Sequence, residues 1–286
     1  MKKLIASLFV LLLSLLSMQS FAQTSDPYRF LSFPIKTAPF TSWNTAALTS
    51  IMDHSKYGLA ATVSGNVDSN TVITAFHGEG VSGYAGSYLT NWCAYRTTSV
   101  PYFYHPVGGN IPYKGATDST GCQGTGTMSY NGHNGFDYAV PNQTPIYAAA
   151  AGVVTENQCT GSGGACTISV GRVIIKHTIN VNGVQKVYYS WYMHLSKAVT
   201  STGASYAVGK VFAEGEKIGL SGATGAGSAY HLHFEVRIGG NGTKTDYGVP
   251  VDPFGWYGSG PDPLSVTTGY QSIYTNEGHS NRLLWK

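Results

Sequence analysis

Residues His231-Leu-His-Phe-Glu-Val236 alternate polar and apolar side chains without a break. As a β-strand this segment points His231, His233 and Glu235 to one face and Leu232, Phe234 and Val236 to the other. The apolar set demands a hydrophobic layer behind the strand. Two imidazoles side by side on the opposite face can share a site, one as a ligand and the other as a proton handler. Further short β segments are dense from Ile146 onward, at 152–156, 167–170, 173–177, 187–192 and 217–220, with glycine-containing turns between several of them. Close spacing of short strands predicts a mainly β fold, an antiparallel sheet or sandwich with functional side chains on its open face.

The chain opens with Met-Lys-Lys, an apolar run too short to span a bilayer, and Ser20-Phe21-Ala22 ahead of Gln23. This pattern reads as a cleavable signal peptide over 1–22, and no later segment is apolar enough to cross a membrane. The expectation is an exported, soluble, monomeric protein without an integral membrane segment. Loss of Lys2 and Lys3 lowers the formal net charge from +3 to +1. No basic stripe is present, so a nucleic-acid partner is excluded. Charged residues make up only 11% of the chain, whereas Gly and Tyr are plentiful, which suits an exported β protein.

The organisation expected is a signal at 1–22, an N-terminal accessory region at 23–110, a catalytic domain at 111–260 and a C-terminal tail at 261–286. Within the accessory region, 45–54 reads as a short helix and 71–76 as a strand. The tail reads as a wrap with little chemistry of its own. Four cysteines in an exported chain point to disulfides. Cys159 and Cys166 flank a loop able to turn back sharply between strands, which leaves Cys93 to pair with Cys122.

Two other segments carry side chains of the kind that bind or work beside a divalent metal. They are His133-Asn-Gly-Phe-Asp137 and Tyr192-Met-His194-Leu195. With the His-Leu-His strand they supply two kinds of donor, imidazole and carboxylate, that suit zinc. Together with Gly215–Gly225, the ordered set H-x-G-x-D, Y-x-H-L and H-L-H-F-E-V resembles the M23 (lysostaphin/LytM-type) zinc metallopeptidases, over roughly 132–252. The resemblance implies a LytM-type β domain and hydrolysis of peptide bonds in bacterial peptidoglycan. It makes His133, Asp137 and His233 the Zn2+ ligands and His194 and His231 the catalytic histidines. Residues 126–133 lack the R-x-G element that often precedes the first histidine in that family. The alternative reading is a catalytically inactive wall-binding or amidase-activating module on the same scaffold.

Other residues carry weaker signals. His177 lies on an apolar strand and reads as structural or supporting. His54, His77, His105 and His279 match no motif. Tyr192 is expected to share a strand face with His194, and Glu235 continues the face of His233, where it could orient a ligand. The bulk-free stretch 221–230 reads as a flexible groove wall that ends at His231.

Overall fold

The computed structural model describes residues 26–38, 41–42, 48–50, 52, 102–105, 109–112, 134–167, 170–226, 230–240, 248–255 and 282–286. The expected signal peptide, the strand at 71–76, Cys93, Cys122 and His133 lie outside them.

The described architecture is antiparallel β. Its strands are β1 (Leu48–Ser50), β2 (Tyr102–His105), β3 (Gly109–Pro112), β4 (Phe136–Ala139), β5 (Pro145–Tyr147), β6 (Gly152–Asn157), β7 (Val173–Val181), β8 (Val184–Met193), β9 (Leu195–Lys197), β10 (Val211–Phe212), β11 (Lys217–Ser221), β12 (His231–Ile238) and β13 (Val249–Val251). The main sheet runs β1-β4-β12-β8-β7-β6-β10, with β13 also paired to β12; β5-β11-β9 form a second sheet and β2-β3 a hairpin. The longest pairing, β7 with β8, is closed by Asn182-Gly183, both at positive φ (51° and 85°), with Val181 opposite Val184. That two-residue turn twists in the same sense as the strands it joins, which fixes the register of the whole hairpin.

Two expected elements are corrected. The helix at 45–54 is replaced at 48–50 by a strand whose Ser50 lies opposite Asp137. Thr49 and Ser50 are weak helix formers, and the outer edge of β4 offers a hydrogen-bonding ladder to pair with. The strand expected at 167–170 is not found at its two described residues, since neither Thr167 nor Val170 lies in a strand. This segment leads out of the Cys159–Cys166 disulfide loop, whose bend is a 3-10 turn at Ser162–Gly164. Its neighbours bond across to the β8–β9 junction, Cys166 N to Ser196 O and Leu195 N to Gly171 O.

β12 sits centrally, with β8 on one edge and β4 followed by β13 on the other. Its apolar side chains Leu232, Phe234 and Val236 have no solvent exposure. The layer behind them comes partly from the two ends of the described chain. Phe30, Leu31, Phe33 and Ile35 on one side and Leu283, Leu284 and Trp285 on the other enter the same core. Leu31 and Trp285 form a parallel bridge, and the Trp285 ring lies 5.5 Å from Phe234, 5.9 Å from Phe33 and 5.8 Å from Phe254. The last residues, read from sequence as a wrap, are thus the backing of the histidine strand.

Candidate metal and proton-transfer centre

The alternation read from the sequence is realised in β12. On the face opposite Phe234 stand His231, His233, Glu235 and Arg237, and this face is closed rather than open: all four are less than 10% exposed. Residues directly opposite on neighbouring antiparallel strands share a face. Asp137 of β4 lies opposite His233, and Met193 and Trp191 of β8 lie opposite His233 and Glu235. The resulting contacts are close. His233 Nδ1 is 2.8 Å from Asp137 Oδ1, and His231 Nε2 is 3.7 Å from the same oxygen.

Gly135 explains the glycine of the H-x-G-x-D pattern. A Cβ there would stand 2.4 Å from Phe234 O, 2.7 Å from Glu235 Cγ and 3.0 Å from His233 Nε2. The backbone two residues beyond His133 therefore passes directly beside β12, and any side chain at 135 would push it away.

Electrostatics organise the face around His233. Its Nε2 is 2.9 Å from Glu235 Oε1, while the other carboxylate oxygen of Glu235 accepts from Arg237 Nε at 2.5 Å. Burial opposes charge on His233, but Asp137 and then Glu235 outweigh it and raise its pKa to about 9. Burial likewise opposes ionisation of Glu235, yet Arg237 and His233 hold it down to about 2. The guanidinium of Arg237 stacks over Trp191 at 4.4 Å, and that of Arg172, paired with Glu156, lies over the same ring at 4.8 Å.

His194 reaches this face by breaking the strand pattern. Tyr192 lies opposite Phe234 and packs against it at 5.4 Å, on the core side. Continued alternation would send His194 the same way. Instead His194 adopts φ 61°, a left-handed conformation uncommon for a residue with a Cβ. Its ring consequently lies 4.4 Å from that of His231 and 5.8 Å from that of His233. The expected shared face of Tyr192 and His194 is thereby corrected. Tyr192 is instead a core residue whose hydroxyl accepts from Ala149 N at 2.8 Å.

The His194 Nδ1 is 2.7 Å from the Thr224 carbonyl. A carbonyl only accepts, so Nδ1 carries the proton and Nε2 of the neutral ring keeps its lone pair. Burial lowers the His194 pKa to about 4, against the opposing effect of the Thr224 bond. His177 is remote in role. Its Nδ1 bonds Ala151 O at 2.9 Å, its Nε2 lies 2.7 Å from Ser190 Oγ, and burial lowers its pKa to about 4.

Asp137 and His233 thus converge as a carboxylate–imidazole pair. With Nε2 bonded to a carboxylate, His233 turns Nδ1 toward Asp137, and only a shared cation, a proton here, reconciles Nδ1 and Oδ1 at 2.8 Å. A divalent metal is chemically suited to replace that proton. Among the described residues no three His, Cys, Asp or Glu side chains form a complete metal-binding group. The remaining expected ligand, His133, lies outside them. Sequence reading missed Arg237, the requirement for Gly135 and the part played by Thr224. A signal was present for the first, since Arg237 continues the period-two face of His231, His233 and Glu235.

Part of the chain is similar to known peptidases. Residues 131–253 match the model of peptidase family M23. The DD-carboxypeptidase/endopeptidase Mpg of Neisseria meningitidis is 40% identical over 121 residues, which are 42% of this chain and 22% of the relative. The glycyl-glycine endopeptidase ALE-1 of Staphylococcus capitis is 31% identical over 155 residues, 52% of this chain and 38% of the relative. The chain therefore spans well under half the length of these curated relatives. A crystal structure of the catalytic domain of lysostaphin from Staphylococcus simulans aligns at 27% identity and a TM-score of 0.29, covering 46% of this chain and 78% of that one. The stretch that matches the peptidase family M23 model, residues 131–253, carries Asp137, His194, His231 and His233.

Proposed function

We propose that the protein is an exported zinc metalloendopeptidase that hydrolyses peptide bonds of bacterial peptidoglycan. The observation that carries this reading is the meeting of His194, His231 and His233 with Asp137, residues contributed by three separated segments. In this reading His133, Asp137 and His233 hold the ion, which when bound supplies Lewis acidity to polarise the scissile carbonyl and acidify a water. Glu235, steadied by Arg237, fixes the His233 ring so that Nδ1 is the ligating atom.

His194 acts at Nε2. Its Nδ1 proton is committed to Thr224, so the lone pair on Nε2 is the one available to accept a proton from the attacking water. The depressed pKa keeps this ring neutral and ready at any pH well above about 4. The protonated His194 then gives that proton to the leaving amine nitrogen, while His231, with its ring 4.4 Å away, stabilises the developing oxyanion as a hydrogen-bond donor. The left-handed backbone at His194, which costs about 1–3 kcal/mol, turns its ring to the face of His231 and His233 and so favours this reading over an inactive wall-binding module.

The substrate class rests on the relatives, which carry the names of a DD-carboxypeptidase/endopeptidase and a glycyl-glycine endopeptidase. Export rests on the signal-like residues 1–22. The test is clearance of turbid suspensions of purified cell walls. The protein should clear them, lose the activity to a chelator and regain it with zinc. Clearance undiminished by exhaustive chelation would refute the metal-dependent reading.

A further inference from the structure

The stretch 221–230 was expected to be a flexible groove wall, but in its described part, 221–226, the first residues are bonded to both catalytic-histidine segments. Gly222 O accepts from His231 N at 3.3 Å. A Cβ at Gly222 would stand 2.8 Å from Ser196 N and 3.0 Å from His194 O, so this turn packs directly on the β8–β9 junction. Two residues on, the Thr224 carbonyl holds His194 Nδ1.

The Thr224 hydroxyl is equally committed. It accepts from Gly171 N at 2.7 Å and donates to Leu195 O at 2.9 Å. Leu195 directly follows His194, and its own N–H bonds Gly171 O at 3.0 Å. Gly171 is packed close against this junction, since a Cβ there would meet Leu195 O at 2.3 Å and Cys166 Cβ at 2.6 Å. One hydroxyl therefore ties three backbone segments together, at Gly171, Leu195 and Thr224, beside a residue held at φ 61°.

We infer that Thr224 is a positioning residue for the proposed reaction: its hydroxyl fixes the carbonyl that sets the tautomer and direction of His194. The inference rests on the peptidase reading above for its kinetic consequence, though not for its structural one. Without the hydroxyl, the carbonyl and the His194 ring lose their common anchor. Nδ1 is then no longer the sole protonated nitrogen.

Three variants of the full chain test this. Thr224→Val removes the hydroxyl at nearly constant shape, and Thr224→Ser restores it. Thr224→Ala reads the same quantities should the valine variant fail to fold. Expected for Thr224→Val is a fall in kcat of about a hundredfold, the scale of a small misplacement of a reacting group, with little change in KM. Thr224→Ser should recover most of the parental kcat. Nitrogen NMR of the imidazoles, on protein with or without zinc, should show a wide Nδ1–Nε2 shift separation for His194 in the parent and serine forms. The separation should narrow in the valine or alanine form as the tautomers average.

A valine or alanine variant with parental kcat overturns the inference. So does a slow variant whose His194 keeps the wide separation, since the hydroxyl would then serve the fold alone. A parental protein that fails to cleave walls, with the tautomer result as expected, would instead remove the peptidase reading and leave the tie intact.

Discussion

Replacing Trp285 by alanine and by phenylalanine separates apolar packing from polar cost behind the histidine strand. Trp285 has no solvent exposure and lies against Phe33, Phe234 and Phe254. Its flanking backbone is held by Leu284 N to Pro253 O and Lys286 N to Leu31 O, so the segment has little freedom to collapse into a void. Truncation of a buried Trp to Ala costs about 3–5 kcal/mol. That is a large share of a typical total of about 5–15 kcal/mol. The indole N–H also has no hydrogen-bond partner among the described residues, a burden of about 1–3 kcal/mol. Because this donor leaves with the ring, Trp285→Ala should fall near 3 kcal/mol, the low end of its range. Trp285→Phe removes the donor too but vacates only roughly 40 Å³, worth about 1 kcal/mol. The phenylalanine variant should therefore be as stable as the parent or slightly more so. Urea unfolding followed by circular dichroism reads both as midpoint shifts at constant slope. A phenylalanine variant destabilised as much as the alanine variant would refute the polar part of the argument. An alanine variant within about 1 kcal/mol of the parent would refute the packing part.

Three further outcomes follow from the site. His194→Ala and His231→Ala should retain zinc and lose about two to four orders of magnitude in turnover, read by zinc analysis beside initial rates; zinc loss from the His231 variant would mean that the two strand histidines exchange roles. Glu235→Gln should weaken zinc binding about ten- to a hundredfold in competition with a coloured chelator, and unchanged affinity would show that the Glu235–His233 bond does not orient the ligand. His177 is held neutral by burial, with its pKa lowered from 6.5 to about 4. The unfolded chain therefore binds the extra proton first as pH falls. Stability is full above pH 6.5, and about 3 kcal/mol is lost on acidification to about pH 4. Denaturation curves across that window should show a shallower acid loss in His177→Gln than in the parent, and parallel losses would contradict the assignment.

The parts of the site that were legible in the sequence are those governed by period-two alternation. His231, His233 and Glu235 fall on one face because β12 is a regular strand, and the apolar set opposite them enters the core as read. Alternation failed at His194, where a left-handed φ turns the ring away from the face of Tyr192. Nothing in Tyr-Met-His-Leu announces that turn, since it is imposed by tertiary bonds from Gly171 and Thr224. The strand at 48–50 was read as a helix because its conformation is set by the free edge of β4, a partner far away in sequence. Trp285 was undervalued for the same reason: a short apolar terminus reveals its worth only once Phe33, Phe234 and Phe254 surround it.

The role proposed for Asp137 and His233 is to serve a metal-dependent hydrolysis of peptide bonds in peptidoglycan. Mass spectrometry of defined cross-linked muropeptides, incubated with the zinc-loaded parent and with Asp137→Ala, tests it most directly. The parent should split a peptide bond, each cut adding one water and yielding a new amine and a new carboxylate. Asp137→Ala should lose its zinc and release no such fragments. Fragments cut in the glycan strand, or equal peptide cleavage by the Asp137→Ala protein, would contradict it.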